Sequence, residues 1–139
     1  MAKNKFRDHI YRNEAAPLGT TPCHQASVCI RRLAPHGFPL HIGIHQVEAG
    51  VDPDRLDYSA PHHHLDQDEV NILISDDYLA YRLTFDDETY EVEAPATIWI
   101  PAGVQHSANV IAGRGTFVCL RLAGPANAPP SGGPPGAQP

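Results

Sequence analysis

Residues 62–69 read His-His-His-Leu-Asp-Gln-Asp-Glu, and this stretch says more about the chain than any other. Side chains two positions apart on an extended strand share a face. His62 and His64 can therefore point at one ion, while His63 points away. Glu69 follows a short polar loop and can return on the neighbouring strand. The stretch predicts three ligands that converge on a single centre.

A second segment, Pro-Ala-Gly-Val-Gln-His at 101–106, supplies a further imidazole, His106. Three imidazoles and one carboxylate suit Fe(II), Mn(II), Ni(II) or Co(II), and Zn(II) is possible. Four ligands leave two positions free on an octahedral ion, where a substrate, or a substrate with O₂, can bind. Such an ion can also act as a Lewis acid. Structural zinc sites are instead closed by four ligands and often contain Cys, which neither segment has.

These two segments resemble the two motifs of the cupin superfamily, over roughly residues 38–122. The resemblance places four residues on the metal-ligand positions of that family: His62, His64, Glu69 and His106. It implies an all-β fold, a cupin-type double-stranded β-helix or jelly-roll barrel, with the metal inside. The chain departs from the family pattern at turn positions: Asp76 and Pro95 stand where the pattern has Gly, and Asn109 comes one place early.

The spacing of short apolar segments and turn residues predicts a sandwich or barrel without reference to any family. The predicted strands are 26–32, 38–48, 69–75, 78–85, 89–93, 96–100, 105–111 and 116–122. The acidic turn 86–88 predicts a hairpin, and Gly113-Arg114-Gly115 predicts a turn that joins the last two strands as a pair.

Three regions are expected: an N-terminal arm over 1–25 with a helical turn near 5–13, a barrel over 26–123, and a disordered tail over 124–139. The tail is composed mostly of Pro, Gly and Ala, and such a composition cannot bury a core.

The segment 38–48 alternates between two chemically different faces. One face carries Leu40, Ile42 and Ile44, and the other carries His41, Gly43 and His45. If the aliphatic face packs outward, His41 and His45 face the metal cavity and are candidate catalytic residues; if it forms the core, both are exposed to solvent. Tyr81 is a third candidate, on a face that could also line the cavity.

Composition excludes some classes of partner. The 139 residues suffice for one domain and carry a formal net charge of −6, with no basic cluster larger than Arg31-Arg32. Nucleic acid is therefore not an expected partner. No apolar run reaches the length of a membrane span, and the N-terminus lacks the apolar core of a signal peptide, so a cytoplasmic protein is expected. Three cysteines without CxxC spacing indicate reduced thiols.

The function that these features favour is a metal-dependent enzyme acting on a small oxygen-bearing organic molecule. The reaction is either O₂-dependent, as in a dioxygenase, or redox-neutral, as in an isomerase, cyclase or lyase. A non-catalytic small-ligand-binding or sensor module is the alternative, and a storage role is a third. A homodimer is also expected, because small cupins commonly pair and because 26–32 resembles an apolar edge strand.

Overall fold

The computed structural model describes residues 4–122, which form eight antiparallel strands and no α-helix. The strands are β1 (Asn13–Ala15), β2 (Ile30–Pro35), β3 (His41–Glu48), β4 (Glu69–Ile74), β5 (Leu79–Phe85), β6 (Glu88–Glu93), β7 (Ala96–Ile100) and β8 (His106–Arg121). Short 3-10 turns occur at Arg7–His9, Leu18–Thr20 and Ala49–Val51. The predicted all-β barrel is confirmed. The predicted disordered tail, 124–139, lies outside the described residues.

Strand β8 belongs to two sheets and joins them. Its first half pairs with β5, which also pairs with β6. Its second half lies between β3 and β4, and the order of that sheet is β1-β2-β3-β8-β4-β7. The predicted pairing of the two halves with each other is therefore wrong. Each half pairs with other strands, and Gly113-Arg114-Gly115 forms a corner between the sheets.

The corner requires glycine at two positions. Gly113 has φ +91°, and a Cβ there would overlap the carbonyl oxygen of Tyr78. A Cβ at Gly115 would overlap the carbonyl oxygen of Ile74. The amide of Arg114 donates to the Tyr78 carbonyl at 2.7 Å, which holds the corner against the start of β5. Glycine inside a strand typically marks such a close approach of two backbones.

The register of the larger sheet decides which side chains share its inner face. Directly opposed residues of antiparallel strands point to the same side. Three rows cross β3, β8 and β4: His41–Arg121–Glu69, Gly43–Cys119–Asn71 and His45–Phe117–Leu73. Glu69, Asn71 and Leu73 are all buried, so this face is the inner one. The interior is apolar beside the corner and becomes polar toward the open end.

The apolar part of the interior holds the two sheets together. Its largest fully buried side chains come from both sheets and, in the case of Tyr58, from a loop: Tyr58, Leu73, Leu79, Tyr81, Leu83, Ile100 and Val110. Burial of each aliphatic side chain stabilises the folded state by about 1.5–3 kcal/mol. This packing supports the polar end of the interior.

The N-terminal part of the chain differs from the sequence-based expectation. The predicted strand 26–32 begins only at Ile30, because Ser27 forms a turn, with the amide of Ile30 donating to its carbonyl at 3.2 Å. Within residues 4–25, β1 pairs with β2 and Leu18 is buried in the core, and the division into arm, barrel and tail stays a prediction. Strand β2 therefore has a neighbour on each side. The homodimer stays a prediction. Strand β1 pairs only with residues 33–35 of β2, so residues 30 and 31 of the predicted edge strand pair with β3 alone.

Within residues 4–122, no helix has both the length and the apolar character needed to cross a membrane.

We predict that Gly113→Ala destabilises the fold by about 3 kcal/mol, because a positive φ and a backbone overlap both oppose a side chain there. Urea unfolding followed by circular dichroism measures the loss. Gly50→Ala is the matched control, because a Cβ at Gly50 meets no atom within 4 Å. Equal stability of the two variants would contradict the role of the corner.

Candidate metal centre

Four side chains converge at the open end of the barrel. One ligand atom from each of His62, His64, Glu69 and His106 lies within 4.8 Å of the others. The centroids of the His62 and His106 rings are 4.5 Å apart, and the His64 ring lies within 5.4 Å of both. Glu69 and His106 are buried, whereas His62 and His64 are half-buried. The cluster is therefore reachable from one side.

Backbone hydrogen bonds join the two segments that carry these ligands. His62 and His106 exchange two of them, at 2.9 and 2.7 Å. The amide of Gly103, in the Pro-x-Gly turn, donates to the carbonyl of His64 at 2.8 Å. His62 is an isolated bridge and His64 lies in a loop, so the predicted strand through them is wrong. His62 pairs with the single residue His106 and not with a whole neighbouring strand.

Asp68 connects the same two segments through its side chain. Its carboxylate accepts hydrogen bonds from the indole of Trp99 at 3.2 Å and from the amide of Ala102 at 2.8 Å. Its carbonyl accepts from the amide of Leu122 at 2.9 Å. Asp68 precedes Glu69 directly and thereby positions that carboxylate against the turn that leads to His106.

Two carbonyl groups set the orientation of two of the imidazoles. His62 Nδ1 lies 2.7 Å from the Ala60 carbonyl, and His106 Nδ1 lies 2.9 Å from the Val104 carbonyl. A carbonyl only accepts, so both Nδ1 atoms carry the proton. Each Nε2 is then directed to the cluster. This arrangement is the usual one for a metal-binding histidine.

Glu69 is the centre of charge in the cluster. Its Oε1 lies 3.3 Å from Nε2 of both His64 and His106, and the amide of Asn71 donates to its Oε2 at 2.9 Å. Burial acts to raise the pKa of Glu69, but the contacts with the two histidines outweigh it and lower that pKa well below the usual range. Burial acts to lower the pKa of His106, and Glu69 overcomes it and raises that pKa.

These residues fit a divalent metal ion. The Nε2 atom of His64 is buried and has no hydrogen-bond partner of adequate geometry among the described residues. Buried polar atoms without partners are rare because each one costs free energy. Here the atom faces one carboxylate oxygen and two further imidazoles, so an ion shared by all four would satisfy it. His63 is exposed and takes no part in the cluster.

Two connected spaces adjoin the cluster. The inner cavity encloses about 30 Å³, roughly the room of one or two water molecules. The outer cleft encloses about 560 Å³. Five residues line both spaces: Thr21, Arg32, His41, His62 and Arg121. A small molecule can therefore lie in the cleft and extend one group toward the cluster.

His41 and His45 both line the inner cavity, and the aliphatic face of β3 points outward. His45 is 3% exposed and its Nδ1 lies 3.2 Å from the Tyr58 hydroxyl. Burial, with a smaller effect from the charge of Arg32, lowers the pKa of His45 to about 3. Burial and the charges of Arg121 and Arg32 lower the pKa of His41 to about 4. Both rings are neutral at neutral pH.

Tyr81 is not among the residues that line the cavity. It is fully buried, its ring stacks on Phe117 with centroids 4.7 Å apart, and its hydroxyl lies 2.9 Å from the Tyr58 hydroxyl. The alternation of β5 correctly indicated an inward side chain. It could not show that Tyr58 lies between Tyr81 and the cavity.

Several cavity residues were missed by the sequence analysis: His24, Arg32, Tyr58, Cys119 and Arg121. His24 and Tyr58 lie in loops, where no periodicity reports direction. Arg121 stands at the end of β8, and only its register with Glu69 reveals its position. Cys119 shares the inner face of β8 with Phe117 and Arg121, which lie two positions away on either side. That alternation was the one available signal.

Comparison with known proteins agrees with this fold. No protein-family model matches the chain, and no curated protein matches it either. Many solved structures do match, at low sequence identity. They include a cupin superfamily protein from Desulfitobacterium hafniense, with TM-score 0.54 and 13% identity, covering 81% of this chain and 98% of that one. KdgF from Halomonas sp. has TM-score 0.53 and 15% identity, covering 70% and 82%.

A third similar structure is Streptomyces albus HEPD with its substrate 2-hydroxyethylphosphonate and Fe(II) bound. Its TM-score is 0.54 and its identity 16%, and the match covers 90% of this chain but 28% of that larger one. The chain therefore has the cupin fold, and the resemblance seen in the two motifs is confirmed at that level.

We predict that His64→Ala and His106→Ala each weaken metal binding by more than roughly 100-fold. Substitutions of residues that only hydrogen-bond to a metal ligand usually cost roughly 10–100-fold, and these two variants remove a ligand itself. His63→Ala should bind metal like the unmodified protein, because His63 is exposed. Calorimetric titration with Zn(II) or Mn(II) measures the affinities. A similar loss in all three variants would refute this assignment of ligands.

We predict that His45→Gln flattens the acid side of the stability curve of the metal-free protein. The pKa of His45 is about 3 in the folded state and about 6.5 when unfolded, so the unfolded state binds more protons between these values. Stability therefore falls as the pH is lowered through this window, by up to about 1.4 kcal/mol per pH unit. Urea unfolding from pH 7 to 4 measures the slope.

Proposed function

We propose that this protein is a metal-dependent enzyme acting on a small oxygen-bearing organic molecule. The observation that carries the proposal is the convergence of three imidazoles and one carboxylate within 4.8 Å, beside a cleft of about 560 Å³. A purely structural metal site would be closed by its ligands. Here the half-buried His62 and His64 border the cleft, so a substrate has access to the ion they would hold.

The donor set favours Fe(II), Mn(II), Co(II) or Ni(II), and Zn(II) is also compatible with it. The similar structure of HEPD contains Fe(II) with a hydroxylated phosphonate substrate, which supports iron and an oxygen-bearing substrate for this chain. When bound, the ion would supply Lewis acidity and positions for substrate oxygen or O₂.

His41 and His45 are the groups that we propose act on the substrate. Both line the inner cavity beside the cluster, and burial keeps both neutral. A neutral imidazole can accept or donate a proton at a substrate atom. His45 is held by Tyr58, which Tyr81 holds in turn. Tyr81 is therefore a positioning residue, two hydrogen bonds away from the His45 ring.

Burial raises the pKa of both Tyr58 and Tyr81. Their hydroxyls consequently stay protonated. The hydrogen bonds from His45 through Tyr58 to Tyr81 can therefore polarise one another without any of these groups carrying a charge. Such a buried network fixes the orientation of the ring that it ends on. Substrate would therefore meet a histidine whose position is set in advance, which is what proton transfer requires.

The test begins with metal analysis of protein purified without chelator. Metal-depleted protein is then loaded separately with each of the five ions and incubated with small hydroxy acids, oxo acids, diols and phenols. Product analysis with and without O₂ separates the two reaction classes: turnover only with O₂ indicates an oxygenase, and equal turnover indicates isomerase, cyclase or lyase chemistry.

We expect His41→Gln and His45→Gln to retain metal and to lose at least about tenfold in turnover. His36→Gln is the control and should keep both metal and activity, because His36 is exposed and lines neither space. A metal-loaded protein that binds members of the panel but converts none of them would favour the alternative, a non-catalytic ligand-binding module. Unchanged activity in both cavity variants would leave the four metal ligands as the only chemistry of the site.

A further inference from the structure

Two arginines line the inner cavity and the outer cleft without a carboxylate partner. Within residues 4–122, the arginine ion pairs are those of Arg55 with Asp52 and of Arg82 with Asp57. Arg32 and Arg121 have no carboxylate within 4.0 Å in that part of the chain. Both side chains are half-buried, and a guanidinium partly withdrawn from water without a counter-charge costs free energy. Function is the usual reason that a protein retains such a group.

Arg121 lies in the row of the candidate metal centre. It is the register partner of Glu69 on one side and of His41 on the other. Neighbouring strands are separated by about 4.8 Å, so its side chain begins next to the carboxylate ligand. Its Nε is buried and has no hydrogen-bond partner, and its Nη2 reaches only the His41 ring, at 3.4 Å. At least one N–H group of the Arg121 guanidinium, that of Nε, is therefore available to a ligand.

Arg32 comes to the same space from the next strand. Its guanidinium extends over Gly43 in the middle inner row: a Cβ there would lie 3.1 Å from Nη2 and 3.2 Å from Nε. Its Nη1 donates to the carbonyl of Ala16 at 3.1 Å, which fixes the orientation of the group. Glycine at 43 thus leaves room for a cation where any other residue would place a side chain.

The local charge is opposite to that of the whole protein. The chain carries −6 overall, but the charged groups lining the inner cavity are two guanidiniums and one carboxylate, Glu69. A divalent ion on Glu69 would make the site more positive still. Burial, and secondarily Arg121, depress the pKa of His41, so the histidine adds no charge. A positive cavity in an acidic protein selects and attracts an anion.

We propose that Arg32 and Arg121 bind the carboxylate of a small 2-hydroxy or 2-oxo acid whose neighbouring oxygen is directed to the metal position. This inference rests on the proposed function and specifies its substrate class. Paired guanidiniums match the planar carboxylate geometrically as well as by charge. The inner cavity, at about 30 Å³, admits only a few atoms, which favours a planar carboxylate over a tetrahedral phosphonate.

The test compares matched probes on Mn(II)-loaded protein by calorimetric titration. Glycolate and glycolamide have nearly the same shape, and only glycolate carries a charge. We expect glycolate to bind at least tenfold more tightly. Arg32→Gln and Arg121→Gln should each remove most of this preference while the Mn(II) content stays unchanged. Arg121→Lys keeps the charge but loses the planar guanidinium with its paired N–H donors, so we expect an intermediate affinity for glycolate.

Neighbouring arginines on the same strands serve as controls. Arg31 and Arg114 are exposed, so Arg31→Gln and Arg114→Gln should bind glycolate like the unmodified protein. Equal affinity for glycolate and glycolamide would overturn the proposal, as would equal losses in control and cavity variants. Tighter binding of hydroxymethylphosphonate than of glycolate would overturn the choice of carboxylate.

Failure of the metal site can be distinguished from failure of the anion site. In metal-free protein, the Nε–H signals of Arg32 and Arg121 in ¹⁵N NMR spectra should shift with glycolate and remain in place with glycolamide. That result in a protein that takes up no metal would uphold the arginine site and refute the proposed enzyme. If the protein retains Mn(II) but shows no shift of these signals and no charge preference in the titrations, the metal site is upheld and the arginine site is refuted.

Discussion

The corner at Gly113–Gly115 is the constraint on which the site depends. A straight strand of the 16 residues of β8 would separate its ends by about 50 Å. Because the strand turns from one sheet to the other, both ends return to the open end of the barrel. His106, at its start, contacts Glu69 at 3.3 Å, and Arg121, at its end, is the register partner of Glu69. One strand thus brings a metal ligand and a cation to the same carboxylate.

The interior has a gradient of polarity, and the gradient has an energetic reason. Apolar rows beside the corner bury enough surface to stabilise the barrel, which allows the rows at the open end to be polar. The polar rows hold one carboxylate among several imidazoles and two guanidiniums. Burial disfavours the charged form of the imidazoles, so His41 and His45 arrive neutral. The permanent charges of the cavity are therefore those of Glu69 and the two arginines, while contact with Glu69 raises the pKa of His106.

The sequence was informative wherever a short local pattern decides direction. The spacing of His62, His64 and Glu69 predicted the side chains that the structure brings together, and alternation along β3 allowed His41 and His45 to face the cavity. The pairing of β8 was not predictable, because a Gly-x-Gly turn forms a hairpin or a corner depending on what the flanking strands pair with. That choice is made by distant strands, here β3, β4 and β5.

Arg32 and Arg121 were missed in the sequence because their positions also depend on which strands are neighbours. Gly43 is the residue of the sequence that is related to their placement. Arg32 is on β2, two strands from Arg121 on β8, with β3 between them. The two guanidiniums can approach one another only if the strand between them has no side chain at the crossing point. In the pattern His-x-Gly-x-His at 41–45, the glycine shares the inward face with the two histidines and adds no side chain to it. Its Cβ would touch the Arg32 guanidinium at 3.1 Å, so the glycine completes that face by admitting a cation from the neighbouring strand.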